Sequence, residues 1–287
     1  MGRQEPTRPA LRYHGGKWLL APWIIKHFPR HRVYTEAFGG AASVLLRKER
    51  SYAEVYNDLD DEVVTLFRVL RDSELARLLI NRLENTPFSR TEFNDSYTDT
   101  ADAVEKARKM IIRSFMGFGS HGHNSKWKTG FLANSNKSGT TPATDWQRYP
   151  DCLRLIIDRM KGVIIENRLA TDVIRQHDSI DTLHYVDPPY VHSTREPHRS
   201  SVREAYKNEL TDADHRNLAT VLKGLNGMVV LSGYPSDLYD KELFPEWCRV
   251  TKASRANGVL PRTEVLWLND AAMNAMEAGP LFERVKA

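Results

Sequence analysis

The chain has 287 residues, 41% of them hydrophobic, with a formal net charge of +4. Its length accommodates one large domain, or one domain carrying an insertion. It holds no apolar run of membrane-span length, no signal-peptide pattern at its start, and only two widely separated cysteines, Cys152 and Cys248. A cytoplasmic protein with reduced thiols, no membrane anchor and no metal or disulfide framework is therefore expected. A basic pI near 9.0 fits nucleic-acid binding only where the cations cluster.

Tyr13-His14-Gly15-Gly16-Lys17 leads into an apolar helical pattern at Leu19, Leu20, Trp23 and Ile24. The paired glycines permit an unusual backbone path. Lys17 could reach a carboxylate or a DNA backbone; the plainer reading of the segment alone is a flexible turn with a solvated lysine. Val33–Phe38 reads as a strand, after which Gly39-Gly40 open a helix over Ala41–Lys48. Tyr52–Tyr56 is a second strand, and Asn57-Asp58 are candidate caps for a helix with Leu59, Val63, Leu66, Phe67 and Leu70 at helical spacing. Small residues at a strand-to-helix turn let a ligand approach the backbone, and a helix start offers free N–H groups. A carboxylate such as Asp58, about twenty residues on, suits ribose hydroxyls. The phosphate-binding G-x-G-x-x-G pattern is absent, so a nucleoside without phosphates fits better than a dinucleotide. The competing reading is that these small residues only permit close helix–sheet packing.

From about 72 to 160 the patterns are mainly helical, as at Val104, Ala107, Ile111 and Phe115, and later Leu153, Ile156, Ile157 and Met160. A segment rich in Gly, Ser, Asn and Lys runs from Gly117 to Thr144. Its His121, Asn124, Lys126 and Lys128, with Arg113 just before it, suit contacts to phosphates and base edges. His121 and His123 lack the companion ligands of a zinc site. Strand patterns return at Val163–Glu166, Leu183–Asp187, Met228–Ser232, Trp247–Thr251 and Val265–Leu268. Thr211-Asp212-Ala213-Asp214 resembles a capping box before a helix with Leu218, Val221, Leu222 and Leu225. This alternation predicts an α/β domain, residues 1–71 and 161–287, interrupted by a mainly helical insertion, residues 72–160.

Asp187-Pro188-Pro189-Tyr190 ends one of those strands. Two prolines remove two backbone N–H groups and fix two φ angles, making a rigid corner with free carbonyls. A carboxylate on one side can accept from an amino group, and an aromatic ring on the other can stack on a flat base. The bland reading is a strand-terminating turn. Its position raises the functional one, because ligands in open α/β sheets gather at the carboxyl ends of strands. Basic residues follow at Arg195, Arg199, Arg203 and Lys207, and again at Lys252, Arg255 and Arg262.

In motif order and spacing the chain resembles the Dam-type, D12-class, α-group DNA adenine-N6 methyltransferases, over about Arg12 to Asn269. Residues 13–17 look like the family's K-W-x-G-G-K segment. Glu36 to Leu46 looks like its E-P-F-x-G-x-G methyl-donor loop, with Ala42 in place of the second spaced glycine. Asn57-Asp58-Leu59-Asp60 resembles N-D-x-N, and Asp187 to Tyr190 matches the catalytic motif unchanged. The resemblance implies a Rossmann-like, class I methyltransferase fold: a seven-stranded, mostly parallel sheet with an antiparallel last hairpin and an inserted target-recognition domain. It implies S-adenosylmethionine held by Tyr13, Lys17, Glu36, Phe38, Gly39, Gly40, Ala41, Ala42, Asp58, Leu59 and Asp187. It also implies double-stranded DNA as partner, with catalysis on a flipped adenine by Asp187, Pro188, Pro189 and Tyr190. Cytosine-N4 enzymes usually have serine at the Asp187 position, and glutamine-N5 enzymes asparagine. An RNA adenine methyltransferase, or a non-catalytic DNA-binding regulator of the same fold, is the alternative. A palindromic target would suit a monomer acting twice or a homodimer.

Overall fold

The computed structural model describes residues 5–119, 128–133, 139–194, 208–255 and 261–283. Seven strands form one sheet: β1 (Val33–Glu36), β2 (Ala53–Asn57), β3 (Val163–Glu166), β4 (Thr182–Val186), β5 (Met228–Gly233), β6 (Cys248–Arg255) and β7 (Pro261–Leu268). Their order is β3-β2-β1-β4-β5-β7-β6, parallel except that β7 runs antiparallel to both β5 and β6. All seven strands follow from the sequence, with ends shifted by a few residues. The sheet is the Rossmann-like class I methyltransferase arrangement. No described helix is long and apolar enough to cross a membrane.

The central strands are near-continuous apolar runs because helices cover both faces. Alternate residues sort between two layers. Tyr34, Tyr56, Leu183, Tyr185, Val230 and Leu266 pack toward α2 (Asp61–Arg71), α3 (Ser73–Glu84), α5 (Ala103–Met116) and α7 (Tyr149–Met160). Val186, Val229, Leu231, Val265 and Trp267 face the opposite way, toward α8 (Ala170–Gln176), α9 (Asp212–Lys223) and a π-helical turn at Leu238–Leu243. The expected capping box of α9 is present, with Thr211 and Asp214 each satisfying the other's backbone N–H.

The helices between α2 and β3 share the first of these cores. Phe93, Ile111, Tyr149 and Met160 lie in the same apolar cluster as Tyr34 and Tyr185. Two ion pairs tie these helices to α2 and β2, the half-buried Arg113–Glu62 pair at 2.8 Å and the buried Arg159–Glu54 pair at 2.7 Å.

Two local expectations need correction. Asp60, not Asn57 or Asp58, caps α2, accepting from the Glu62 N–H. The stretch 41–48 is a run of turns, not a regular helix. Leu46 and Lys48 do make helical bonds to Ala42 and Val44. The N–H of Leu45, however, donates to the Glu36 carboxylate, and Ala42 takes φ 53°, which no right-handed turn contains.

Candidate active site

The strand order reverses between β1 and β4: β1 continues outward to β2, and β4 continues the other way to β5. A crevice at the carboxyl ends of the strands forms at such a switch point. Here it is a cavity of about 330 Å³ lined by the 13–17 turn, the 36–41 loop, residues 57–60, Asp187 and Pro189. That is within the range of about 300–1,000 Å³ usual for small-molecule sites.

Each wall is fixed by its own backbone chemistry. After β1 the chain bends sharply, and the Gly39 N–H donates to the Asn57 carbonyl. A side chain at Gly39 would meet the Tyr56 ring at 2.2 Å, so the turn and that tyrosine require each other. Gly40 has φ +45°, and its N–H donates to Asp58 Oδ2 at 2.8 Å. Asp58 Oδ1 accepts from the Asp60 N–H, also at 2.8 Å. Asp58 thus clamps the first loop to the second. Burial raises its pKa to about 6, against the hydrogen bonds of Asp60 and Gly40. The Asn57 amide bridges Ala37 and Arg168, joining the ends of β1 and β3. Leu59 remains exposed at the rim.

Glu36 lies beneath the loop. Its Oε2 accepts from the Tyr34 hydroxyl at 2.7 Å and the Leu45 N–H at 2.8 Å. Burial lifts its pKa to about 8, so it is predominantly neutral at pH 7.

Lys17 is 5% exposed, and the solvated turn expected from the isolated motif is replaced by a buried cation. Its Nζ lies 2.9 Å from Asp187 Oδ2, donates to the Gly15 carbonyl at 3.0 Å, and stands 4.6 Å over the Tyr190 ring. Among the described residues the other oxygen, Asp187 Oδ1, is buried with no hydrogen-bond partner. Burial raises the Asp187 pKa, and Lys17, then the neighbouring Ser232 and Tyr190 hydroxyls, oppose that shift. Tyr190 is held at its hydroxyl by Glu264 Oε2 at 3.1 Å and packs edge-on with Tyr234 at 4.4 Å between centroids.

Most of the expected residues therefore meet here: Tyr13, Lys17, Glu36, Phe38, Gly39, Gly40, Ala41, Asp58, Leu59, Asp187 and Pro189 line the cavity. Ala42 does not; it is fully buried in the core. Pro188 and Tyr190 stand beside the cavity rather than in its described wall. Arg113, expected at a DNA surface, is 2% exposed and spent on Glu62 and the Ser96 carbonyl. Its place on the apolar stripe of α5, three residues after Met110, was the available signal. Lys128 is exposed, with Nζ 5.7 Å over the Tyr97 ring. His121, His123, Asn124, Lys126, Arg195 and Arg199 lie outside the described residues. Asn208, Glu209, Leu210 and Asp214 also line the cavity, and Glu264 and Tyr234 hold Tyr190. Sequence reasoning assigned none of the six to the site: Asp214 was read only as part of the capping box of α9, and the others reach the site from strands and loops away from the motifs.

No curated protein matches the chain. Residues 13–256 match the family of D12 class N6 adenine-specific DNA methyltransferases, and the chain belongs to that family.

Proposed function

We propose that this family member transfers the methyl group of S-adenosylmethionine to N6 of an adenine swung out of double-stranded DNA. The observation that carries the reading is the half-satisfied Asp187 carboxylate at the switch point. Leaving a buried acceptor unmet costs about 1–3 kcal/mol, which an incoming amino group recovers. Lys17 fixes Oδ2, so Oδ1 is the oxygen left for substrate.

The cavity suits the methyl donor on three observations. Its volume is that of a small-molecule site. Gly40 takes a left-handed path with the Tyr13 ring where a side chain would otherwise stand. Asp58 offers a carboxylate whose oxygens keep further lone pairs for ribose hydroxyls. Tyr13, Phe38, Gly39, Gly40, Ala41, Asp58 and Leu59 would hold the donor. When bound, it supplies a methyl carbon on a sulfonium, a strong electrophile.

The protein's own part concerns the acceptor. The N6 lone pair of adenine is delocalised into the ring and is a poor nucleophile. Asp187 Oδ1 and the Pro188 carbonyl would accept the two N6–H bonds. That favours the pyramidal amine and aims its lone pair for in-line attack. As positive charge develops on N6, the hydrogen bond to the ionised carboxylate strengthens, which is selective stabilisation of the transition state; the methyl carbon's bond to sulfur would break as the N–C bond forms, and the extra N6 proton would leave afterwards. Tyr190, steadied by Glu264, Tyr234 and Lys17, would stack on the flipped ring. Base flipping itself costs a few kcal/mol of stacking and pairing.

The test is transfer of labelled methyl to unmethylated genomic DNA, read by sequencing that detects modified bases, beside Asp187→Ala. N6-methyladenine at one recurring short sequence is expected. The variant should lose on the order of 10²–10³ in kcat with little loss of donor affinity. Near-normal turnover by Asp187→Ala would sink the assignment. Methylation of RNA and not DNA would move the acceptor.

A further inference from the structure

Two prolines stiffen the backbone of the 187–190 corner, but they leave the Tyr190 ring free to turn about its own side-chain bonds. What holds the ring comes from elsewhere in the chain. Lys17 Nζ stands 4.6 Å over its face. Tyr234, the first residue after β5, meets it edge-on, with centroids 4.4 Å apart and ring planes at 67°. Glu264 of β7 accepts from its hydroxyl at 3.1 Å. The hydroxyl lies on the ring's long axis. Its hydrogen bond therefore fixes where that axis points, while Lys17 and Tyr234 limit rotation about it.

Glu264 reaches the corner because β7 runs against its neighbours. A parallel strand brings its carboxyl end to the site; an antiparallel one brings its amino end. Glu264 pairs with Lys252 of β6, one step before Val265 meets Gly233, the last residue of β5. Val265 and Trp267 belong to the core on the α8 and α9 side, and Leu266 to the other. Period-two alternation puts Glu264 on the Leu266 face, which Tyr185 of β4 shares. There it is 6% exposed, at the head of the apolar run Val265–Leu268, whose members are at most 1% exposed. A carboxyl group is costly to bury, so packing alone favours an apolar side chain at this position. Nor does Glu264 belong to the described wall of the cavity. Its hydrogen bond to Tyr190 gives the buried carboxyl group a purpose.

From this geometry we infer that Glu264 is a positioning residue of the methyl-transfer site: acting through the Tyr190 hydroxyl, it aims the ring on which the flipped adenine stacks. The same hydroxyl neighbours Asp187 and favours its charged form. A swing of the ring axis would thus disturb the stacking platform and the carboxylate together. The inference rests on the base-flipping methyltransferase reading above.

The experiment measures steady-state methyl transfer to unmethylated genomic DNA by the full-length chain and by Glu264→Gln, Glu264→Ala, Tyr190→Phe and the double variant Glu264→Ala with Tyr190→Phe. Calorimetric titration with S-adenosylmethionine checks each protein for donor binding. Glu264→Ala is expected to lose about tenfold in kcat/KM for DNA, the scale of one hydrogen bond, with donor affinity within about twofold of wild type. Glu264→Gln keeps an acceptor for the hydroxyl and should stay within about threefold of wild type. Tyr190→Phe should lose about as much as Glu264→Ala, and the double variant no more than either alone, because both changes remove one contact. Full turnover by Glu264→Ala, equal losses in the Gln and Ala variants, or losses that multiply in the double variant would overturn the inference and spare the methyltransferase reading. So would a parallel fall in donor affinity, which would make Glu264 a general structural residue. A wild-type chain that methylates no DNA would overturn that reading and this inference with it.

Discussion

Two buried lysine–carboxylate pairs in this protein have opposite characters. In the first, Glu54 of β2 is saturated. Its Oε2 accepts from Arg159, and its Oε1 accepts from Arg159, Lys48 and the Ser51 N–H. All three protons of Lys48 are used, the others on Glu49 and Ser51. Burial works to raise the Glu54 pKa, but the Arg159 and Lys48 contacts outweigh it, and the net shift is downward. In the second pair, Asp187 has Lys17 on one oxygen and no close hydrogen bond on the other; Ser232 and Tyr190 also favour its charged form, yet burial outweighs all three and its pKa is raised. Burial is common to both; completeness of hydrogen bonding is not. A saturated pair fixes structure, whereas an unmet acceptor at a cavity is available for chemistry.

The largest effect that tests this contrast is on stability. Arg159→Met leaves Glu54 short of two hydrogen bonds in a buried setting. Breaking such a pair from one side typically costs about 3–5 kcal/mol. Urea denaturation should show a loss of that order, with donor affinity preserved in the protein that remains folded. A loss below about 1 kcal/mol would place Arg159 with ordinary surface pairs.

Lys17→Met attacks the other pair and should act on rate before stability. We expect a fall of about 10–100-fold in kcat/KM, the scale of removing one positioned charge beside the reacting group. The pH profile separates charge from mere packing. On the proposed mechanism Asp187 must be ionised to stabilise charge on N6, so activity should fall as pH drops through its folded pKa. Burial already raises that pKa and Lys17 lowers it, while Glu36 and Tyr185 lie nearby. Removing the cation should move the acid limb of kcat/KM to higher pH. A limb that stays in place would show that Lys17 only fills space.

Glu36 is a third case, hydrogen-bonded yet without a cation in contact. Its folded pKa of about 8 stands above the ordinary 4.5. Between those values the native state holds a proton that the unfolded chain has released, so stability falls as pH rises through the window. The slope for one such proton is about 1.4 kcal/mol per pH unit. Glu36→Gln keeps an acceptor for Tyr34 and Leu45 and removes the titration. Its stability curve should be flatter than wild type over that range, and parallel curves would refute the assignment.

These sites differ in how far the sequence revealed them. The strands were readable because apolar runs doubly covered by helices carry their own signal. Asp187 was readable because its prolines and its place at a strand end are local. The Lys17–Asp187 pair spans 170 residues of chain, and no local pattern announces that a lysine in a glycine turn will be buried. The turns at 41–48 were misread as helix for a related reason. Ala41 to Lys48 has helix-forming composition, but Glu36 intercepts the Leu45 N–H from outside the segment. Arg113 was misplaced because a cation near a polar loop looks like surface until Glu62 arrives from α2.

The smallest predicted effect concerns Ala42, the departure from the family's glycine. Its φ of 53° is a left-handed conformation that costs an L-residue roughly 1–2 kcal/mol. Glycine would relieve that strain. It would also remove a buried methyl, about 0.8 kcal/mol, and loosen the unfolded chain by about 0.4–1 kcal/mol. The terms nearly cancel, so Ala42→Gly should change stability by less than about 1 kcal/mol in either direction. Because Ala42 faces the core and not the cavity, donor affinity should shift by no more than about twofold, roughly 0.4 kcal/mol. Ala42→Val is the sharper companion, since a β-branched side chain is a genuine outlier at positive φ. It should destabilise the loop and weaken donor binding together. If glycine instead tightened donor binding tenfold, the alanine would be distorting the methyl-donor loop, and the departure at this position would be functional and not merely tolerated.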